Sequence, residues 1–260
     1  MRRTGIKMAQ KDRLDSIRTM VKTEKRVIVS ELSKQFEVTE ETIRRDLEKL
    51  EKEGLVARTY GGAVLNVGDA VIRVNYDRRA QTNVEEKRSI ARMAADLIPR
   101  NGAAIGADSS STVMETIRLI SGREDLLLMT YSANVLRELA DTKIKIMSTG
   151  GFLNKKSYSF QGVIARNTIQ GYNMDVALVS CKGLQLGSGA FDSDEDEAEI
   201  KRLMVERSQK VYLLADHTKF GKVAFTKLFG LDQIDAVITD REPPAEWLEW
   251  FAANNVQLIC

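Results

Sequence analysis

Polar and small residues recur directly after short apolar runs in the C-terminal part of this 260-residue chain. The first such stretch, Asp108-Ser109-Ser110-Ser111-Thr112, leads straight into a helical pattern. Four more follow later apolar runs: Thr130-Tyr131-Ser132-Ala133-Asn134, Thr149-Gly150-Gly151, Ser180-Cys181-Lys182-Gly183 and Asp216-His217-Thr218-Lys219-Phe220-Gly221. Hydroxyls and backbone N–H groups at the start of a helix form a cradle for phosphate. The recurrence predicts one binding site that includes such a cradle.

Each stretch also has an ordinary structural explanation. Serine and threonine after a strand are good helix N-caps, Gly-Gly is a common turn, and Asp216 with His217 makes a plausible hydrogen-bonded pair. The acidic run at residues 192–199 is typical of a solvated helix start, although Glu197 and Lys201 are four residues apart and share a face. Five polar stretches in the same position relative to their apolar runs favour a shared site over five unrelated caps.

The elements that position these residues alternate in type. Residues 87–97 have the spacing of an amphipathic helix, with Ile90, Met93, Ala94 and Leu97 on one face. Short apolar runs then alternate with helical patterns, at residues 103–107, 126–130, 144–148, 176–180, 211–215, 236–239 and 256–259. This alternation predicts an α/β domain, residues 84–260, with a mostly parallel sheet covered on both faces. Ligands bind outside the carboxyl ends of such strands, where the polar stretches lie.

The N-terminal 65 residues have a different pattern, which predicts an α+β winged helix-turn-helix. Ser30 is a candidate N-cap for a helix at residues 30–36, and Thr39 for a second helix at 40–53 that ends at Gly54. At 100° per residue, Ile43, Leu47 and Leu50 form one apolar stripe and Arg45 falls almost opposite it. A helix at residues 12–22, with Leu14, Ile17, Met20 and Val21 on its apolar face, supplies the third wall of a small core.

A short hairpin completes this module. Residues 55–58 are predicted to form a strand and Gly61-Gly62 a turn, so that the wing presents Arg58, Thr59 and Tyr60 to phosphate. Taken alone, the charged helix also fits an ordinary solvated surface helix. The complete order of helix, turn, capped helix and hairpin favours DNA binding, with the second helix in the major groove. The predicted DNA contacts are Ser30, Thr39, Glu41, Thr42, Arg44, Arg45, Lys49, Arg58, Thr59 and Tyr60.

Composition agrees with two domains joined by a linker at residues 66–83. The net charge is +2, and residues 1–66 contain 15 Lys and Arg against 11 Asp and Glu, which places +4 there and −2 in the remainder. The two cysteines, Cys181 and Cys260, form no CxxC or Cys/His cluster, so neither a metal nor a cofactor is predicted. With no apolar run long enough to span a membrane and no signal peptide pattern, the expected location is the cytoplasm.

The N-terminal motifs resemble those of the DeoR family of bacterial repressors. The family pattern T-x-R-R-D-L followed by L-x-x-x-G-L corresponds to Thr42-Ile43-Arg44-Arg45-Asp46-Leu47 and then Leu50, Gly54 and Leu55. The resemblance continues through Asp108 to Thr112, Thr130 to Ser132, Gly150-Gly151, Glu197-Ala198-Glu199-Ile200-Lys201 and Leu214 to Gly221. The chain departs from the family pattern in three places. Ser110 stands where glycine is usual, Tyr131 replaces asparagine and adds a bulky ring at the pocket, and Ser180-Cys181-Lys182 replaces a glycine-containing loop.

The resemblance implies a C-terminal sensor domain similar in fold to ribose-5-phosphate isomerase, with a pocket for a phosphorylated sugar. Ser109, Ser111, Thr112 and Lys219 are expected to hold the phosphate, and Asp108 and Glu197 to accept sugar hydroxyls. The full set of predicted effector residues is Asp108, Ser109, Ser110, Ser111, Thr112, Thr130, Tyr131, Ser132, Gly150, Gly151, Lys182, Gly183, Glu197, Lys201, Asp216, His217 and Lys219.

The leading hypothesis is a repressor of a carbohydrate catabolic operon that acts as a dimer or tetramer and is controlled by a sugar phosphate. One alternative is a sugar-phosphate isomerase or deaminase with an accessory DNA-binding domain, since Asp108, Glu197, Asp216 and His217 are candidate bases. The fused N-terminal module, for which an isomerase has no use, argues against an enzyme. A DNA-architectural protein is a third possibility, and it would leave the five polar stretches without a purpose.

Overall fold

The computed structural model describes residues 10–24, 26–53, 55–59, 61–65, 76 and 79–260. The chain divides into two compact units, one up to Gln81 and the other from Thr82 to Cys260. Most of the predicted linker, together with Gly54 and Tyr60, lies outside the described residues.

The N-terminal unit is a three-helix module with a small antiparallel sheet. Its elements are α1 (Gln10–Glu24), β1 (Arg26–Ile28), α2 (Val29–Gln35), α3 (Glu40–Lys52), β2 (Val56–Thr59) and β3 (Gly62–Leu65), with strand order β1-β3-β2. The predicted stripe of Ile43, Leu47 and Leu50 is fully buried, as are Ile17 and Val21 of α1. The winged helix-turn-helix fold is therefore confirmed.

Two local predictions in this unit are wrong. Ser30 is not an N-cap, because α2 begins at Val29 directly after β1, and the Val29 N–H donates to the Gly61 carbonyl at 2.7 Å. A backbone carbonyl from the wing thus satisfies a donor that a cap residue would otherwise bind. Gly62 is not part of the turn, because it belongs to β3 and pairs with both Ile28 and Thr59. A Cβ at Gly62 would lie 1.9 Å from the Val27 carbonyl oxygen, so the approach of β1 to β3 requires glycine there.

The second unit is built on a seven-stranded parallel sheet. Its strands are β4 (Ala103–Ala107), β5 (Leu126–Thr130), β6 (Lys145–Ser148), β9 (Met174–Val179), β12 (Ser208–Leu214), β14 (Ala236–Ile238) and β15 (Gln257–Ile259), in the order β15-β14-β12-β9-β4-β5-β6. These are the seven predicted apolar runs, with ends shifted by three residues or fewer. The α/β fold with a parallel sheet is confirmed.

Helices cover both faces of this sheet. On one face lie α4 (Val84–Asp96), α5 (Ser111–Ile120) and α6 (Ala133–Leu139), and on the other α7 (Val163–Gln170), α8 (Glu195–Glu206) and α9 (Ala245–Ala253). Successive β9 residues alternate between the two cores: Val176 and Leu178 pack with the first set of helices, Ala177 and Val179 with the second. A strand buried on both faces reads as a continuous apolar run, which is why the sequence reveals it.

Short antiparallel strands were not predicted. The strands β10 (Gly183–Gln185), β11 (Gly189–Asp192) and β13 (Thr226–Phe229) form one small sheet, and β7 (Phe152–Asn154) pairs with β8 (Ser159–Gln161). Their sequences, such as Gly183-Leu184-Gln185 in β10 and Ser159-Phe160-Gln161 in β8, place only one or two apolar residues among polar or small ones and form no apolar run. Among the described helices, none has the length and apolar character needed to cross a membrane.

Candidate DNA-contacting face and ligand site

Helix α3 presents its arginines to solvent. Thr39 caps the helix by accepting a hydrogen bond from the Thr42 N–H at 3.3 Å, as predicted. The Arg45 side chain is 73% exposed and lies 3.4 Å from Glu41, while Arg44 pairs with Glu40 at 2.7 Å. Exposed pairs of this kind contribute little stability. Either arginine can therefore exchange its glutamate for a phosphate or a guanine edge at small cost.

A buried ion pair fixes the rotation of this helix. The Asp46 carboxylate, fully buried on α3, accepts a hydrogen bond from Arg13 Nε on α1 at 2.6 Å. Together with the buried stripe of Ile43, Leu47 and Leu50, this pair holds one side of α3 inward and leaves Arg45 on the solvent side. Sequence reasoning missed this pair, although Asp46 lies three residues after Ile43 and four before Leu50, which is the spacing of the buried stripe.

The other predicted DNA contacts lie at the surface or at partly buried positions. Glu41, Lys49 and Ser30 are exposed, and Thr42, Arg58 and Thr59 are half-buried. The Arg58 backbone N–H donates to Glu51 Oε1 at 3.1 Å, which ties the wing strand β2 to α3. Their contacts with DNA stay a prediction, and Tyr60 is outside the described residues.

In the larger unit, the order of the strands reverses between β4 and β9. The chain runs outward from β4 through β5 to β6, and then returns to place β9 on the opposite side of β4. This is the topological switch point of an open parallel sheet, where ligands bind beyond the carboxyl ends of the strands. The stretches after β4 and β9 therefore meet at the centre of the predicted site.

Asp108 joins these two strand ends. Its Oδ1 accepts the Ser110 N–H and its Oδ2 accepts the Ser180 N–H, each at 2.8 Å, and Oδ2 also lies 3.2 Å from Lys201 Nζ. The residue is fully buried. Both carboxylate oxygens are thus occupied within the protein, so a sugar hydroxyl would have to compete with these contacts.

Lys201, on α8, is the cation at the centre of a buried cluster. Its Nζ donates to Asp192 Oδ2 at 2.7 Å and to the Ser180 carbonyl at 2.9 Å, and its side chain is only 4% exposed. Burial opposes the charged form, but the charges of Asp108 and Asp192 outweigh it and raise the pKa of Lys201 well above its ordinary value. Burial also opposes the charged form of Asp192, but the positive charges of Lys201 and Lys182 outweigh it and lower the pKa of Asp192 below its ordinary value. Asp192 was not predicted as a site residue, because only the position of β11 brings it to Lys201.

The start of α5 keeps the features of an anion cradle. Ser109 Oγ donates to the buried Glu197 at 2.9 Å, and Ser110 caps the helix through the Val113 N–H at 3.1 Å. Ser111 and Thr112 are the first two residues of the helix, and neither hydroxyl forms a hydrogen bond with another described residue. The first N–H groups of a helix lack partners within the helix. The start of α5 therefore carries two hydroxyls next to N–H groups that lack partners within the helix.

The stretch after β5 is mostly engaged in holding the backbone. Thr130 Oγ1 donates to the Ala107 carbonyl at 2.8 Å and accepts the Ser132 N–H at 3.1 Å, while Ser132 caps α6. The ring of Tyr131 is fully buried and belongs to the core that packs against α7 to α9, and its place at the pocket stays a prediction. Burial raises the pKa of Tyr131 well above its ordinary value. The positive charge of Lys201 acts against this shift, and the negative charges of Asp108 and Glu197 add to it.

The predicted glycines allow close approach of the backbone. Gly150 and Gly151 have positive φ angles of 64° and 109°, and a Cβ on Gly151 would lie 2.6 Å from the Gln161 carbonyl oxygen. A Cβ on Gly183 would lie 2.3 Å from the Lys222 carbonyl oxygen. The half-buried Lys182 precedes it and donates its backbone N–H to the Phe191 carbonyl at 2.8 Å.

The stretch after β12 forms a single turn of 3-10 helix, His217–Lys219. Asp216 caps it through the Thr218 N–H at 3.0 Å, accepts Asn83 Nδ2 at 3.2 Å, and lies 3.7 Å from Lys219 Nζ. His217 is bound twice by Asp240, which follows β14. The His217 backbone N–H donates to Asp240 Oδ1 at 2.7 Å, and the His217 ring Nδ1 lies 2.8 Å from Asp240 Oδ2.

Asn83 and Asp240 were also missed. Asp240 had an available signal, because it follows a predicted strand just as the other polar stretches do. Asn83 lies inside the predicted linker, and no pattern in the sequence indicates it as a site residue. Within the part of the chain that the structure describes, no group of three or more His, Cys, Asp and Glu side chains is arranged to hold a metal ion.

In a comparison with known protein families, each of the two units matches a family domain. Residues 13–67 match the DeoR-like helix-turn-helix domain, and residues 82–241 match the DeoR C terminal sensor domain. The chain belongs to the DeoR family. This DeoR-family chain is 38% identical over 230 residues to the uncharacterized HTH-type transcriptional regulator YulB of Bacillus subtilis, an alignment that covers 88% of each chain. It is 31% identical over 252 residues to the glycerol-3-phosphate regulon repressor of Escherichia coli K12, which covers 96% of this chain and 99% of that protein.

Among solved structures, the DeoR-family chain aligns with a D-ribose-5-phosphate isomerase in complex with phospho-erythronic acid. The sequence identity is 17% and the TM-score 0.41, over 53% of this chain and 54% of that one.

Proposed function

We propose that this DeoR-family chain is a DNA-binding transcriptional repressor of a carbohydrate catabolic operon, and that a phosphorylated sugar releases it from its operator. The observation that carries the proposal is the pairing of an outward-facing arginine helix with a second unit that has hydroxyls at a helix start beside the switch point. The similarity to the glycerol-3-phosphate regulon repressor supports it.

The effector phosphate would lie at the start of α5. Ser111 and Thr112 offer hydroxyls there, and charge-assisted hydrogen bonds to phosphate are strong. Lys219 follows β12, which is separated from β4 only by β9, so the two strand ends are about 10 Å apart at the usual strand spacing. A sugar phosphate can bridge that distance, with Lys219 leaving its long 3.7 Å contact with Asp216 for the ligand.

The regulatory step is a shift between two conformations of an oligomer. A single small recognition helix gives modest affinity, so paired modules on adjacent half-sites are expected, in a dimer or tetramer in the cytoplasm. An effector that binds one conformation more tightly shifts the population toward it. Release follows if that conformation separates the paired modules from their half-sites.

We propose that the sensor unit has no efficient catalytic activity. A general base must reach a proton of the substrate, but the candidate carboxylates already accept internal hydrogen bonds. Asp108 accepts two backbone N–H groups, Glu197 accepts Ser109, and Asp216 accepts Thr218 and Asn83. The competing isomerase or deaminase function is tested by following each sugar phosphate with NMR in the presence of the protein. A kcat of about 1–1000 per second would contradict the proposal.

The experiment begins with selection of binding sequences from a random DNA pool by the full-length protein. A thermal-shift screen over pentose, hexose and triose phosphates then identifies the effector, and a mobility-shift titration measures release. Ser111→Ala and Lys219→Ala should bind the selected DNA normally and resist release. Lys143→Ala, which removes an exposed lysine paired with Glu124 at the amino ends of β6 and β5, the edge of the sheet opposite the site, is the matched control. If Ser111→Ala and Lys219→Ala are released at the parental effector concentration, the effector binds elsewhere.

A further inference from the structure

The ring of His217 is held in one orientation by a buried carboxylate. Asp240 has a side chain only 4% exposed, and it binds both the backbone N–H and the ring Nδ1 of His217. Arg241 Nε contacts the same Oδ2 at 3.1 Å. The His217 side chain is 32% exposed, so part of the ring meets solvent while its Nδ1 atom is anchored on the buried carboxylate.

The partners of Asp240 determine which ring nitrogen carries the proton. Burial raises the pKa of Asp240, but hydrogen bonds from the His217 backbone, Arg241 and the His217 ring outweigh it and lower the pKa below its ordinary value. An ionised carboxylate only accepts hydrogen bonds, so Nδ1 must be the protonated nitrogen. In the neutral ring, Nε2 is then left as an acceptor. No described residue forms a hydrogen bond with it.

An unused acceptor at this place complements the rest of the site. The start of α5 offers donors suited to phosphate, whereas both oxygens of Asp108 and Oδ1 of Asp216 already accept internal hydrogen bonds, and Asp216 Oδ2 lies 3.7 Å from Lys219 Nζ. A sugar hydroxyl needs an acceptor as well as a donor. His217 follows β12, about two strand spacings from the start of α5, which is where the sugar of a ligand with its phosphate on α5 would reach.

We propose, building on the sugar-phosphate site inferred above, that Asp240 is a positioning residue that fixes the Nδ1–H form of His217 and presents Nε2 as the acceptor for a hydroxyl of the effector. The site then recognises a polyhydroxylated phosphate ester at two points, with phosphate at the start of α5 and a hydroxyl at His217.

The chain contains one histidine, so imidazole nitrogen NMR on the full-length protein reports this residue alone. The free protein should show the Nδ1–H form, and Asp240→Asn should convert it to a mixture of forms or to the Nε2–H form. Glu242→Gln removes an exposed carboxylate two residues further along the chain and is the matched control, expected to keep the parental spectrum. A parental spectrum in Asp240→Asn would overturn the positioning role.

Ligand contact is tested with named probes, D-ribose 5-phosphate, D-glucose 6-phosphate and glycerol 3-phosphate, against inorganic phosphate, which has no carbon-bound hydroxyl. An ester that stabilises the protein should shift the Nε2 resonance and lose about tenfold in affinity in Asp240→Asn and His217→Asn, the loss expected for one hydrogen bond. His217→Gln places an amide oxygen near the Nε2 position and should restore part of that affinity. Inorganic phosphate should bind all variants equally.

The outcomes separate this proposal from the proposed function. If an ester stabilises the protein and causes release from DNA without moving Nε2, the effector site stands and the role of His217 and Asp240 is wrong. If none of the esters stabilises the protein, the sugar-phosphate effector is wrong and this inference falls with it.

Discussion

Replacing Lys201 by methionine tests whether the buried charge cluster supports the sensor unit. The Nζ group lies within 3.2 Å of three acceptors, Asp192 Oδ2, the Ser180 carbonyl and Asp108 Oδ2. Methionine retains most of the volume of the side chain, so the change removes the charge with little cavity formation.

The expected loss of free energy of unfolding follows from the carboxylates that the substitution leaves without a cation. Two buried carboxylates, Asp108 and Asp192, would remain close together without their cation. Breaking a buried ion pair from one side costs about 3–5 kcal/mol. For a unit of this size, each kcal/mol lowers the melting temperature by about 2–4 °C, so we expect a decrease of about 6–20 °C.

Urea unfolding followed by tryptophan fluorescence isolates this unit. The two tryptophans of the chain, Trp247 and Trp250, both lie on α9. The signal therefore reports the sensor unit alone, which matters because a two-unit chain does not unfold in a single step. Adding Asp192→Asn to the Lys201→Met variant should recover part of the lost stability, since it removes one of the two carboxylates that have lost their cation.

The matched control removes a partly exposed ion pair that also involves α8. Arg166 contacts Glu199 at 2.9 Å, and Arg166→Met should cost about 0–1 kcal/mol. If Lys201→Met unfolds within 1 kcal/mol of the parent, or no further than Arg166→Met, the cluster does not hold the switch point together and the reasoning fails.

Three further predictions concern DNA binding, the wing and acid stability. Arg45→Ala should weaken binding to the selected DNA about 10- to 100-fold and relax the sequence preference of the protein. Arg58→Ala should weaken binding to all sequences alike and reduce the salt dependence of binding. Parental affinity of the Arg45→Ala variant in a mobility-shift titration would contradict the assignment of the DNA-contacting face of α3. Gly62→Ala should separate β1 from β3 and cost about 1–3 kcal/mol, seen as faster amide hydrogen exchange at residues 26–28 and 62–65; parental exchange rates there would disprove the close approach. Because the folded-state pKa of Asp192 is lowered, its contribution to stability is present above the ordinary aspartate pKa of about 3.9 and is lost as the pH falls through the folded value. Asp192→Asn should therefore be less stable than the parent at neutral pH in urea titrations, and the difference should shrink as the pH falls below the ordinary aspartate pKa; a constant difference from neutral to acid pH would refute the linkage.

The sequence alone determined the elements whose signal is local. Buried parallel strands are continuous apolar runs, and the cap at Thr39 with the stripe at Ile43, Leu47 and Leu50 is a pattern within one helix. The positions of the polar stretches also predicted that they lie at one edge of the sheet, because all parallel strands end on the same side.

Only the tertiary structure decided which of these residues touch. Asp46 meets Arg13 across 33 positions, Asp108 meets the Ser180 backbone across 72, and His217 meets Asp240 across 23. These contacts depend on the order of strands in the sheet and on how helices pack, and neither leaves a period in the sequence. The switch point shows this most directly, since β4 and β9 are separated along the chain by the whole β5 to β8 segment and become neighbours only when the sheet forms.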